Sequence, residues 1–273
     1  MGYKKYSKEQ EIQIVEEYKQ GIPVEQLKEK YGYKTRKSIT DKVKKYCSQE
    51  EFEQIKNNRN IIKKGYEYKL EKIQNEFDAY FIGLLLTDGY IIKDRNQVGI
   101  DLIDEDCISY LSKSIGKKYN KYKGRENEQE KFRLVLSDKD LIQNIKRFGV
   151  IENKTDIIPA PQLLPEEEKF IPYLIRGIID GDGNIDIRNN CVGFRIATKS
   201  KEFAEWIRYV LENKMFMQDI NINNNSNIYI IETYQIQNFL KLFALSYSKP
   251  FGMMRKYIKI GETFRDYNNP FLK

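Results

Sequence analysis

The sequence predicts an α+β fold: two pseudo-symmetric αββαββα repeats forming a saddle of antiparallel sheets, preceded by a small all-α module. Three observations carry this. The apolar stretch Phe81-Ile-Gly-Leu-Leu-Leu-Thr-Asp-Gly89 returns as Ile175-Arg-Gly-Ile-Ile-Asp-Gly-Asp-Gly183, with Gly83 and Gly177 94 positions apart. The same offset superposes Val98-Gly99-Ile100 on Val192-Gly193-Phe194, and Ile142-Gln143-Asn144 on Ile236-Gln237-Asn238. Landmarks held in constant register imply two copies of one supersecondary unit. Ahead of them, residues 1–47 show helical periodicity alone, broken at glycines.

In chain order, Ser7 is placed to cap a helix that buries Ile12, Ile14, Val15 and Tyr18 and ends at Gly21. Pro23 opens a second short helix through Tyr31, and Gly32 breaks it. A third runs from Thr35 to about Tyr46 and carries Lys34, Thr35, Arg36 and Lys37 at its start, with Lys42, Lys44 and Lys45 further along. Two short helices joined at a glycine, the second with basic and hydroxyl residues in its first turn, read as a helix-turn-helix that binds DNA. A three-helix packing module is the other reading. Residues 48–74, rich in Lys and Asn, read as a basic linker.

The first repeat, 75–157, places strands at Tyr90–Lys93 and Val98–Ile103, a helix at Glu105–Lys117, strands at Lys118–Lys123 and Lys131–Leu136, and a closing helix at Asp138–Phe148. The Pro-rich stretch 158–166 links the repeats. The second repeat and tail, 167–273, follow the same order. Its strands are Ile185–Arg188 and Cys191–Ala197, then Gln218–Ile222 and Ile228–Glu232 around an Asn-rich loop; its helices are Ser200–Asn213 and Gln235–Leu245, with a last short helix after 253. Pro172, inside the second motif helix, requires that helix to restart or to kink.

In each repeated run, small residues one turn apart (Gly83 and Thr87; Gly177 and Gly181) let two helices approach closely. Glycine at 89 and 183 suits the left-handed conformation of a helix terminus. Paired side by side, the helices bring Asp88 and Asp182 to one end. An Asp at a helix C-terminus opposes the dipole at a cost of roughly 0.3–1 kcal/mol. Two such placements in register point to function rather than capping. Converging carboxylates ionise together most easily around a cation, so this is a candidate oxygen-ligand metal site, with the Thr87 and Gly181 carbonyls able to add donors.

Composition narrows the chemistry. The 273 residues carry a net charge of +7, which favours a polyanionic partner. There is no histidine, so a His-base nuclease, a His-ligated zinc and a Ser-His triad are excluded. Hydrolysis must use carboxylates, lysine and metal-activated water. Three cysteines without paired spacing suggest a reducing, intracellular setting. Neither a membrane-spanning run nor a signal-peptide core is seen.

The paired runs resemble the LAGLIDADG motif of homing endonucleases. The second copy matches through Gly177, Asp180, Asp182 and Gly183; the first departs at Leu86, where the motif has its first Asp. The resemblance spans roughly residues 75–260. It implies a monomeric enzyme that binds a long, nearly asymmetric double-stranded DNA site and cuts both strands to leave short 3′ overhangs. It implies Mg2+ held by Asp88 and Asp182, with Mn2+ or Ca2+ able to substitute for binding. It also implies one basic residue per copy near the scissile phosphate. The candidates are Lys154 and Lys249, which lie 66 and 67 residues after their respective aspartates, and Lys199, whose counterpart is Glu105. The outer sheet faces and turns offer Lys93, Arg95, Lys123, Arg125, Lys131, Arg133, Arg188, Asn189, Asn190, Arg195, Asn223 and Asn225 to the major groove. Turn chemistry alone accounts equally for the asparagines. A DNA-binding regulator that does not cut, and a maturase acting on intron RNA, are the alternatives within the same resemblance.

Overall fold

The computed structural model describes residues 6–123, 129–188 and 191–268. It divides into two compact units, Met1–Glu67 and Tyr68–Lys273.

The first unit contains α1 (Lys8–Lys19), α2 (Val24–Tyr31), α3 (Arg36–Tyr46) and α4 (Gln49–Lys64). Ser7 and Gln10 close a reciprocal capping box at α1. Thr35 caps α3 by accepting from the Ser38 amide. Ile14, Val15, Tyr18, Leu27, Ile39, Val43 and Phe52 form one buried core. Phe52 belongs to α4, inside the segment read from sequence as a linker. That segment is helical because Ser48 and Glu51 cap it and Phe52 and Ile55 have an apolar surface to cover. Ile12, expected to face inward, is exposed.

The second unit holds the two repeats. The first runs α5 (Glu76–Thr87), β1 (Gly89–Ile92), β2 (Gln97–Leu102), α6 (Glu105–Ile115), β3 (Asn120–Lys123), β4 (Glu130–Ser137) and α7 (Lys139–Ile145). The second runs α8 (Ile171–Asp182), β5 (Gly183–Arg188), β6 (Cys191–Thr198), α9 (Lys201–Asn213), β7 (Asn221–Asn225), β8 (Ile228–Thr233) and α10 (Ile236–Ser246), followed by α11 (Met254–Asn268). Each repeat makes a four-stranded antiparallel sheet, in the orders β1-β2-β4-β3 and β5-β6-β8-β7. Alternation sets the faces: Val98, Ile100, Leu102, Phe132, Leu134 and Leu136 point into the core, while Asp101 and Arg133 point out.

The pair α5–α8 runs parallel at the centre, backbone against backbone. A Cβ on Gly83 would lie 2.3 Å from the Leu174 carbonyl oxygen, and one on Gly177 2.3 Å from that of Tyr80. No side chain larger than hydrogen fits at either position.

Three sequence expectations are corrected locally. Gly89 and Gly183 do not take the left-handed conformation; they start strands, and Gly183 is extended. As Pro172 requires, α8 starts afresh there: a 3-10 turn (Pro165–Phe170) precedes it, and Pro172 sits in the first helical turn, where no amide is needed. Strand β7 begins at Asn221, after positive-φ residues Phe216 and Asp219, and absorbs Asn223–Asn225. The β7–β8 hairpin closes on Ser226–Asn227 alone, both at positive φ as a tight two-residue turn needs. The last helix, expected to be short, continues to Asn268.

Candidate functional site

The helices α5 and α8 end together. Asp88 is the C-cap of α5, and Asp182 is the last residue of α8. The Asp88 Oδ2 lies 2.7 Å from where a Cβ on Gly181 would sit, so the end of α5 packs its carboxylate against the last turn of α8. The Thr87 hydroxyl donates to Asp88 (3.2 Å). Crowding by protein raises both carboxyls. For Asp182 the neighbouring charge of Asp88 adds to it, and the Asp182 carboxyl reaches about 6 although the residue is exposed.

Two buried lysines point at this junction. Lys154, in a 3-10 turn (Lys154–Asp156) after α7, donates to the carbonyls of Leu86 (2.8 Å) and Thr87 (2.7 Å). Lys256, in the first turn of α11, donates to the carbonyls of Ile179 (2.6 Å), Asp180 (2.6 Å) and Gly183 (2.8 Å). These acceptors include the terminal carbonyls that a helix leaves without partners. Burial lowers both ammonium groups, Lys256 to about 8, while the aspartates hold them up.

Lys249, taken from sequence as the partner of Lys154, is elsewhere. Its ammonium is exposed and pairs with Glu76 (2.6 Å). The residue that occupies the matching place in the second repeat is Lys256. Sequence spacing missed it because the segment between α10 and α11 delays it by several residues relative to the first repeat. Lys199 lines a cavity of about 230 Å³ with Leu86, Thr87, Lys154, Asp182 and Thr198, and its ammonium lies 3.2 Å from the exposed Asp156.

The donor set suits a hard divalent cation: a carboxylate at each of two adjoining helix ends, with backbone oxygens beside them. The Thr87 carbonyl already accepts from Lys154, leaving its second lone pair, and the Gly181 carbonyl is 3.4 Å from Lys256. Among the described residues no group of three or more Asp, Glu, Cys or His side chains forms a metal cluster. Water or phosphate oxygens would therefore complete the coordination.

The outer sheet surfaces are less free than their composition suggests. Arg133 is held in a bidentate pair with Asp101 (2.8 and 2.6 Å), which also accepts from Tyr122 (2.7 Å) and Tyr90 (3.1 Å). Asp101 is lowered against its burial by these bonds. Arg195 lies 3.3 Å from Asp186, which accepts from Tyr234 (3.2 Å). Asn223 donates to Glu232. Arg95, Lys123 and Asn225 are exposed and Lys131 half-buried. The side chains of Lys93 and Arg188 and the whole of Arg125, Asn189 and Asn190 lie outside the described residues.

In the first unit, Lys34, Thr35, Arg36 and Lys37 are exposed at the start of α3, with Arg36 paired to Glu25. Lys42 and Lys45 instead turn onto the buried Glu11, so they brace the fold.

Residues 170–243 match the model of a LAGLIDADG-like domain. Among curated proteins, the chain is 26% identical over 183 residues to DNA-directed RNA polymerase subunit Rpo1C of Methanocaldococcus jannaschii. The match takes in 66% of this chain and only 19% of that protein's length. Solved structures of similar shape include full-length DUF199/WhiA from Thermatoga maritima, 12% identical, covering 74% of this chain and 65% of that one at a TM-score of 0.47. Another is the LAGLIDADG meganuclease I-AabMI bound to uncleaved DNA, 10% identical, covering 71% and 92% at a TM-score of 0.46. No described helix is long and apolar enough to cross a membrane.

Proposed function

We propose that this chain is a metal-dependent, site-specific double-strand DNA endonuclease of the homing type, with its cleavage centre at the shared end of α5 and α8. One observation carries the reading: the two helix ends that bear Asp88 and Asp182 meet there, and a buried lysine approaches each of them. A fold needing only caps has no use for that concentration of charge.

Asp88 and Asp182 would hold the cation. When bound, Mg2+ stabilises the leaving oxygen and lowers the pKa of the attacking water. Thr87 orients Asp88 through its hydroxyl. Lys154 and Lys256 place positive charge where the phosphate gains negative charge, and their carbonyl contacts keep both ammonium groups in position without solvent reorganisation. Lys199 borders the cavity beside Asp182 and supplies a further cation for a phosphate there. One chain contains both carboxylates, so a monomer has the whole centre.

Duplex DNA would lie across the two sheets. Lys123, Lys131, Arg95 and Asn225 stand on the outward surface or at its rim, with Arg133 and Arg195 fixed in orientation by Asp101 and Asp186. The α2–α3 pair would act as a helix-turn-helix, adding contacts through Lys34, Thr35, Arg36 and Lys37.

The test is nicking and linearisation of a plasmid library with Mg2+, comparing wild type with Asp182→Asn. Cutting by wild type alone supports the reading. Tight duplex binding with no cutting in Mg2+ or Mn2+ would replace it with a DNA-binding regulator. Preference for a structured intron RNA would replace it with a maturase.

A further inference from the structure

The second repeat contains a buried polar cluster that the first lacks. Arg176 and Asp180 sit one turn apart on α8, both fully buried. The matching positions in α5 are Ile82 and Leu86, also fully buried. An apolar pair therefore packs this part of the fold adequately, and a buried ion pair is weak evidence for stability.

Besides Tyr80 of α5, the cluster bonds to one stretch of chain, from the end of α10 to the start of α11. Arg176 donates to the carbonyls of Ser246 (3.1 Å), Lys249 (2.8 Å) and Phe251, and its guanidinium lies 3.7 Å from the Phe251 ring centre. Asp180 accepts from Tyr247 (2.8 Å), from Tyr80 of α5 (2.8 Å) and from the Met253 amide (3.3 Å). Gly252, at φ +74, packs so closely on the Tyr80 hydroxyl that a Cβ would lie 2.3 Å from it. Met253 immediately precedes α11. One turn later comes Lys256, whose ammonium returns to the end of α8.

We propose that Arg176 and Asp180 are positioning residues that set the start of α11 and thereby deliver Lys256 to the cleavage centre. Lys154 needs no such device, because it leaves a tight turn directly beside the end of α5. This inference rests on the endonuclease reading for its purpose, but the positioning can be measured without cleavage.

The experiment uses the full chain carrying Arg176→Ile with Asp180→Leu, which copies the apolar pair of the first repeat into the second. Lysine acylation is followed residue by residue by mass spectrometry, without DNA. Labelling of Lys256 should rise about tenfold, while labelling of Lys154 stays within about twofold. Cleavage of one strand should fall roughly 10²-fold, as in Lys256→Met, so that nicked DNA accumulates, with duplex affinity within about threefold. Adding Lys256→Met to the double variant should cause no further loss. Continued protection of Lys256, or equal slowing of both strands, would overturn the proposal. Should the double variant fail to fold, Tyr247→Phe removes one bond to Asp180; it should raise Lys256 labelling about twofold, and no rise would sink the idea. A wild-type chain that cuts nothing defeats the endonuclease reading, while the labelling still decides the positioning.

Discussion

The two repeats bring a carboxylate and a lysine to the same junction by different routes. In the first, α5 carries the apolar Ile82 and Leu86, and Lys154 comes from a short turn close in sequence to the repeat's own last helix. In the second, α8 buries Arg176 and Asp180, and the lysine comes from α11, an element with no counterpart in the first repeat. The comparison teaches that what the repeats share is the end state at the helix pair, namely an Asp, a buried ammonium and terminal carbonyls. The supporting scaffold has diverged around it.

The largest expected effect would break that equivalence if it failed. Asp88→Asn and Asp182→Asn should each lower double-strand cleavage by about 10³-fold, measured on plasmid with Mg2+. One variant that cuts normally would show that a single repeat holds the metal. Next, Gly83→Val should cost at least about 3 kcal/mol in urea unfolding, because its Cβ would collide with main chain on α8. Gly177→Val should match it, since the contact is mutual.

Lys154→Met and Lys256→Met should each reduce cleavage by roughly 10²-fold, about 2.7 kcal/mol, with opposite strands left uncut. Lys249→Met should stay within about twofold, since its ammonium makes an exposed pair with Glu76. The smallest effect lies on the first repeat's outer sheet. Asp101 is held below its ordinary value by Arg133 and Tyr122. Its contribution is therefore present above the unfolded carboxylate pKa and is lost as pH falls through the lower folded value. Asp101→Asn should cost about 0.5–1 kcal/mol at pH 7 and nothing well below pH 3.8, as thermal melting against pH will show.

The fold class and the Asp pair were readable because both are local and repeated. The two Asp-Gly ends, the matching glycines and the 94-residue register need no knowledge of tertiary structure. Lys256 was not readable, because its place depends on the conformation of the segment between α10 and α11. That conformation follows from Arg176 reaching carbonyls 70 to 75 residues away, a contact without sequence periodicity. Strand alternation identified Arg133 and Arg195 as outward-facing, but could not show that Asp101 and Asp186 already hold them. The basic stretch 48–74 read as a linker because its apolar residues are sparse, yet Phe52 and Ile55 are enough to fold α4 onto an existing core.

At the α5–α8 crossing, main chain meets main chain with no side chain between. The interval separating Asp88 from Asp182 is thus a gauge set by backbone atoms in van der Waals contact, which substitution elsewhere does not retune. Under the proposed function, either sheet can change toward a new target sequence while the stagger between the two cuts stays the same.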